Sequence, residues 1–139
     1  FTVNDSVMVE SFLKGREVSC GVVVKGNDIT AMPPTEIISD NDFFDFEAKY
    51  EGSSQEITPA EISDEETKLI QSTSEQIYKI LHCQGFIRVD YMLHEGKAQI
   101  IEVNTVPGFS NESILPQQIA ASGWNVKEAI THCIEQMFI

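Results

Sequence analysis

Positive charge is scarce in this chain: 9 Lys and Arg stand against 22 Asp and Glu in 139 residues, for a formal net charge of -13. A surface of that sign repels nucleic acid and anionic membranes, so neither is an expected partner. Long apolar runs are missing too. No stretch approaches the ~20 residues that cross a bilayer, and the start of the chain lacks the pattern of a secretory signal. Cys20, Cys83 and Cys133 form neither a CxxC pair nor a Cys/His ligand spacing, so they read as reduced, partly buried thiols of a cytoplasmic protein. There is no glycine-rich phosphate loop, no internal repeat and no low-complexity tract. What remains is a chain long enough for one domain, since near 150 residues roughly 70% of the unfolded surface is hidden. It opens on Phe1 instead of Met, which reads as a piece of something longer.

Two adjacent segments carry the chemistry: Phe86-Ile-Arg-Val-Asp-Tyr-Met92, and Ala98-Gln-Ile-Ile-Glu-Val-Asn104 running straight into Thr105-Val-Pro-Gly108. Each alternates apolar and polar residues with the period of a half-buried strand, and Glu95-Gly96-Lys97 between them signals a hairpin turn. Alternate side chains of a strand share a face, so Arg88, Asp90 and Met92 project together, and Glu102 and Asn104 project together from the partner strand. Two carboxylates and an amide beside one guanidinium suit a hard divalent cation. Magnesium binds through one or two carboxylates and keeps its other positions for water and substrate phosphates. The same residues would also suit the wet face of an antiparallel sheet; the Pro-Gly exit in place of an ordinary solvated loop weighs toward a site.

Upstream, Val7 to Leu13, a Lys14-Gly15 turn and Glu17 to Val24 predict a hairpin, with a third short strand near Ile29 to Met32. Residues 40 to 62 mix Asp, Asn, Gly, Ser and Pro with the aromatics Phe43, Phe44, Phe46 and Tyr50, which predicts a long ordered loop of the kind that serves as a lid. Ser63-Asp-Glu-Glu66 is a capping box, and the apolar spacing of Leu69, Ile70, Ile77, Ile80 and Leu81 predicts one helix that runs to a stop at Gly85. A short helix is expected near Leu115 to Ala121, and Asn125 with Glu128 caps a final amphipathic helix. His82, His94 and His132 cluster with no Ser or Cys in a nucleophilic arrangement.

Four strings, Val9-Glu-Ser-Phe-Leu-Lys-Gly-Arg-Glu-Val18, Glu47-Ala-Lys-Tyr50, Gly85-Phe-Ile-Arg-Val-Asp-Tyr-Met92 and Ile101-Glu-Val-Asn-Thr-Val-Pro-Gly108, occur in that order. Together they resemble the C-terminal ATP-grasp lobe of bacterial D-alanine–D-alanine ligases, over essentially all of the chain. The resemblance implies an α+β fold, a mainly antiparallel sheet flanked by helices with a long active-site loop, filling residues 1–139 as one domain. An N-terminal domain and a small central domain would belong to the rest of the enzyme. It further implies ATP-dependent joining of two D-alanines through an acylphosphate for peptidoglycan, and a homodimer for the whole enzyme. Another ATP-grasp carboxylate–amine ligase and a non-catalytic ATP-grasp-like module are the alternatives.

By the same resemblance, Asp90, Glu102 and Asn104 hold two magnesium ions (manganese could replace them) against the ATP phosphates, and Arg88 stabilises the oxygens of the reacting centre. Adenine would lie against the backbone of Glu10 to Leu13, with Phe12 and Met92 lining its slot and Glu17 taking the ribose hydroxyls; core packing is the other reading of Phe12 and Met92. Lys49 would reach the phosphates or the network that closes the loop, and Tyr50, where D-alanine–D-lactate ligases are expected to carry a histidine-bearing loop, points to an amine nucleophile. Gly108 would allow close approach to the reacting centre, and Ser113 with the amide of Ile114 would receive the carboxylate of the second D-alanine at a helix N-terminus. Asn111-Glu112 departs from the family pattern, where a less acidic pair such as Ser-His is common.

Overall fold

A computed structural model describes residues 6–39, 54–136 and 138. Six strands form one antiparallel sheet: β1 (Arg16–Lys25), β2 (Asp28–Ala31), β3 (Thr35–Ser39), β4 (Ser54–Ile57), β5 (Ile87–His94) and β6 (Lys97–Asn104). The order is β4-β3-β1-β5-β6, with β2 paired to the far end of β1. Three helices are described: α1 (Asp64–Ile80), α2 (Ile114–Ala121) and α3 (Val126–Gln136). This is the mixed architecture expected, an antiparallel sheet with helices on both sides.

Strand parity builds the layers. Val18, Cys20 and Val22 of β1 share a face with Ile87, Val89, Tyr91 and Leu93 of β5, and all are buried with Ile70 and Tyr78 of α1. Each such aliphatic side chain removed from water contributes roughly 1.5–3 kcal/mol. The opposite face carries Val23, which joins Met32, Leu115, Ile119 and Ala129 in a smaller core under α2 and α3. Gly21 lies between these helices and the sheet because a Cβ there would collide with Leu115 Cδ1 and stand 2.7 Å from Gln118 Oε1. An isolated strand glycine thus marks a close approach.

Several local expectations hold for evident reasons. Ser63 Oγ accepts from the Glu66 backbone N–H while the Glu66 carboxylate accepts from the Ser63 N–H, so both halves of the capping box form. Glu95 and Gly96 have φ of +50° and +70°, the conformation a two-residue hairpin between right-twisted strands requires. Asn125 Oδ1 accepts from Glu128 N at 2.8 Å and starts α3.

Three expectations are corrected. Residues 6–14 form no strand, so the first predicted hairpin does not exist. Both edges of β1 are already taken, by β2 and β3 on one side and β5 on the other, which leaves Val7 to Leu13 no ladder to join. The stretch read as loop from 40 to 62 contains β4, which pairs with β3; residues 40–53 lie outside the described residues. The helix stops at Ile80, five residues before Gly85, with Leu81 as its C-cap and His82 at φ +50°.

Candidate functional site

The β5–β6 hairpin brings the predicted oxygen donors together. Arg88 faces Asn104 and Asp90 faces Glu102 in register. A bulge follows between Asp90 and Tyr91, absorbing Ile101 on the partner strand. The bulge lies between the turn and these four residues, and it is what brings them together: the turn-side register, His94 with Lys97 and Tyr91 with Ile100, would continue to Asp90 with Ile101, and the extra residue moves Glu102 and Asn104 onto the face of Arg88 and Asp90.

Asp90, 5% exposed, sits at the centre. Arg88 donates to it twice, Nε to Oδ1 and Nη2 to Oδ2, each at 2.8 Å. Asn104 Nδ2 donates to Asp90 Oδ2 and to Glu102 Oε1, both at 2.9 Å, so one amide bridges the two carboxylates. From below, Ser19 of β1 donates its hydroxyl proton to Asp90 Oδ1 at 2.5 Å. The Arg88 guanidinium is held above its ordinary pKa, first by the hydrogen bonds to Asp90 and then by the negative field of Asp90, Glu102 and Glu56 against the cost of burial.

A cavity of about 760 Å³ opens over this cluster. Among the described residues its wall carries five carboxylates, those of Glu17, Glu56, Asp90, Glu102 and Glu112, and one cation, Arg88. Such a wall attracts cations and repels bare polyphosphate, so a phosphate ligand would need metal beside it. The donor chemistry fits that need. Among the described residues no three His, Cys, Asp or Glu side chains gather as a ligand set. Two carboxylates and an amide are instead a partial oxygen shell of the kind magnesium shares with phosphates.

The cavity continues to Gly108, Ser110, Ser113 and Ile114. Ser113 is the N-cap of α2, but its hydroxyl makes no cap bond; it accepts from Ser110 N at 3.1 Å and pairs with Ser110 Oγ at 2.8 Å. The first-turn amides of α2 therefore have no side-chain cap, and no acidic residue lies in that turn, an arrangement favourable to an anion. A Cβ on Gly108 would stand 3.0 Å from Ser113 Oγ. Glu112 is an exposed member of the same wall.

The other predicted positions divide. Glu17 lines the cavity and is paired in register with Met92. Glu10, Phe12 and Leu13 lie on the segment before β1, which is not the strand expected there, and Phe12 is 61% exposed. Lys49 and Tyr50 lie outside the described residues. Two wall or support residues were not anticipated, Ser19 and Glu56. Glu56 accepts from Gln117 Nε2 of α2 at 2.7 Å, tying β4 to the helix that begins at Ile114. A second cavity of about 590 Å³, beside α3 and lined by Trp124, Lys127 and His132, contains none of the predicted site residues.

The sheet and its flanking helices are those of an ATP-grasp C-terminal lobe. The chain superimposes on the VanG D-Ala:D-Ser ligase of Enterococcus faecalis with a TM-score of 0.76 at 34% identity, covering 89% of this chain and 36% of that one. It also matches the D-alanine–D-alanine ligase of Bacillus anthracis complexed with ATP, with a TM-score of 0.73 at 29% identity over 91% of this chain and 39% of that one. Residues 1–135 match the family model described as the D-ala D-ala ligase C-terminus, and the chain belongs to that family. A D-alanine–D-alanine ligase of Christiangramia forsetii is 50% identical over 135 residues, 97% of this chain and 41% of the relative. The chain thus spans about two fifths of the length of the curated relatives it matches.

Proposed function

We propose that this chain is the metal- and acceptor-binding lobe of an ATP-dependent D-alanine–D-alanine ligase that supplies the dipeptide for peptidoglycan in the cytoplasm. The observation that carries the reading is one continuous wall, from Asp90, Glu102 and Asn104 through Arg88 to the uncapped start of α2 at Ser113 and Ile114. Asp90, Glu102 and Asn104 would hold two magnesium ions, which when bound supply neutralising charge at the ATP phosphates.

The remaining work falls to the chain's own residues. Arg88 offers its cation to the oxygens of the carbonyl under attack, where negative charge develops. The amides of α2 and the Ser113 hydroxyl orient the carboxylate of the incoming D-alanine, so that its amine is delivered by position. Glu17, on the cavity wall, would bind the ribose hydroxyls. Lys49 and Tyr50 would complete the phosphate and acceptor contacts from the segment outside the described residues. The acidic wall needs basic partners for triphosphate, and on this reading they come from a central domain elsewhere in the enzyme, itself a homodimer.

Measurement of magnesium-dependent phosphate release from ATP by the intact protein, with D-alanine alone and with D-alanine plus D-serine, tests the reading. D-alanine alone should suffice. Release that requires D-serine would move the assignment toward the acceptor named for the VanG enzyme, and no release with either would overturn it.

A further inference from the structure

A row of polar side chains crosses four adjacent strands: Thr35 of β3, Ser19 of β1, Asp90 of β5 and Glu102 of β6 are successive partners in register. Thr35 and Ser19 are fully buried, Asp90 nearly so, and Glu102 exposed. The row thus runs from the interior into the cavity. Behind it, Gln118 of α2 donates from Nε2 to Ser19 O at 2.9 Å and to Thr35 Oγ1 at 3.0 Å, while Gln118 Oε1 accepts from Gly21 N at 2.9 Å. Thr35 Oγ1 shares a hydrogen bond with Thr58 Oγ1 at 2.6 Å.

We propose that Ser19 is a positioning residue of the metal site, holding the Asp90 carboxylate in the orientation that a divalent cation uses. The proposal rests on the reading of Asp90, Glu102 and Asn104 as cation ligands. Three side chains donate to Asp90, and two of them, Arg88 and Asn104, are assigned work of their own at the same cavity. When Arg88 turns to substrate and the Asn104 amide presents its oxygen to a cation, both donors leave the carboxylate. Ser19 alone has no other task. Its backbone is fixed by β3, β5 and Gln118, and its hydroxyl reaches Oδ1, leaving Oδ2 to Asn104 and Arg88. A buried donor fixed in this way sets the rotation of a ligating carboxylate, and losing such a partner typically weakens metal binding about 10–100-fold.

The test is an equilibrium Mn²⁺ titration read by EPR on the intact ligase with ADP, at a temperature well below unfolding. Ser19→Ala should raise the Mn²⁺ dissociation constant about tenfold or more, Ser19→Thr should restore the wild-type value, and Asp90→Asn should abolish binding. Should the Ala variant fail to fold, Ser19→Cys, of similar size but a weak donor, takes its place with the same expectation. A purely structural serine would lower the melting temperature and leave the dissociation constant unchanged. That result, with binding lost in Asp90→Asn, overturns the positioning role and leaves the metal reading standing. Binding retained in Asp90→Asn would overturn the metal reading and this proposal with it.

Discussion

The two faces of the central sheet are built from the same strands and do opposite things. On the face under α1, consecutive alternate positions of β5 are Ile87, Val89, Tyr91 and Leu93, each at most 3% exposed. On the other, the intervening positions include Arg88 and Asp90, part of a cavity wall crowded with carboxylates. Moving one residue along β5 exchanges a dry core for a charged cluster. The apolar face offsets chain entropy and fixes the strand register; the polar face inherits that register and uses it for geometry. A site carried by rigid strands is held more closely than one on loops.

The sharpest way to test this division is to change neighbours on β5. In the intact enzyme, Arg88→Ala should lower kcat about 10²–10³-fold, or about 3–4 kcal/mol of transition-state stabilisation, with little change in the KM for ATP. Steady-state assays of dipeptide formation at varied ATP decide it, and near-normal turnover would remove Arg88 from the chemistry. Glu102→Gln should instead weaken magnesium dependence and nucleotide binding together. Ile87→Ala, one residue away, should cost about 3 kcal/mol of stability by opening a cavity under α1. Urea denaturation measures it; a loss of activity without loss of stability would mean that the two faces are not separable.

How much of this was legible in the sequence depends on whether the cause was local. The β5–β6 hairpin was readable as two paired strands because a polar-apolar pattern and a Glu95-Gly96 turn are local signals, although the adjacent Ile100 and Ile101 break the alternation where the register shifts. The capping box is another such signal, for the start of α1. The bulge was not read, and the turn alone would pair Asp90 with Ile101 and send Glu102 and Asn104 to the other face, so the convergence of the four residues depends on it. Val7 to Leu13 is apolar enough for a strand, yet strand formation needs a free edge, and β1 has none left. β4 has only four residues set between Ser and Pro, too short for a periodic signal. Ser19 and Glu56 were missed because their partners lie 71 and 61 residues away, Asp90 for one and Gln117 for the other. A lone Ser in an apolar strand announces nothing until the neighbouring strand is in place.

The helix side of the site face gives a smaller effect. Gly21→Ala would push a Cβ into Leu115 and Gln118, both of them side-chain ends that can yield in part. Overpacking of this kind costs about 1–3 kcal/mol. Because α2 also bears Ser113, the variant should raise the KM for the acceptor D-alanine more than that for ATP. Equal changes in both would mean that α2 moves as one body with the nucleotide side of the cavity.

The smallest effect probes the dry face through the buried pair of Ser74 and Tyr91. Ser74 Oγ donates its proton to Ile70 O at 2.8 Å, so in the 2.7 Å contact between Ser74 Oγ and Tyr91 OH the phenol is the donor. Tyr91→Phe removes that donor while Ser74 keeps its bond to Ile70, and the loss should be about 1 kcal/mol near pH 7. The pH dependence gives the variant a second signature. Burial, partly offset by the hydrogen bond to Ser74 and reinforced by the field of Cys20 and Asp90, pushes the Tyr91 phenol up to about 12 from its ordinary value of 10.0. Above about pH 10 the unfolded chain releases this proton while the folded protein retains it, so the unfolded state binds fewer protons and stability falls as pH rises. The contribution is fully present below the unfolded pKa and is lost as the pH approaches the folded one. The Tyr91→Phe variant has no such proton. Urea unfolding of both proteins from pH 7 to 11 should therefore show the wild-type advantage shrinking from about pH 10 upward. An advantage that stays constant over that range would mean the phenol ionises as readily in the folded protein as in the unfolded chain, and that the face under α1 is wetter at Tyr91 than its burial implies.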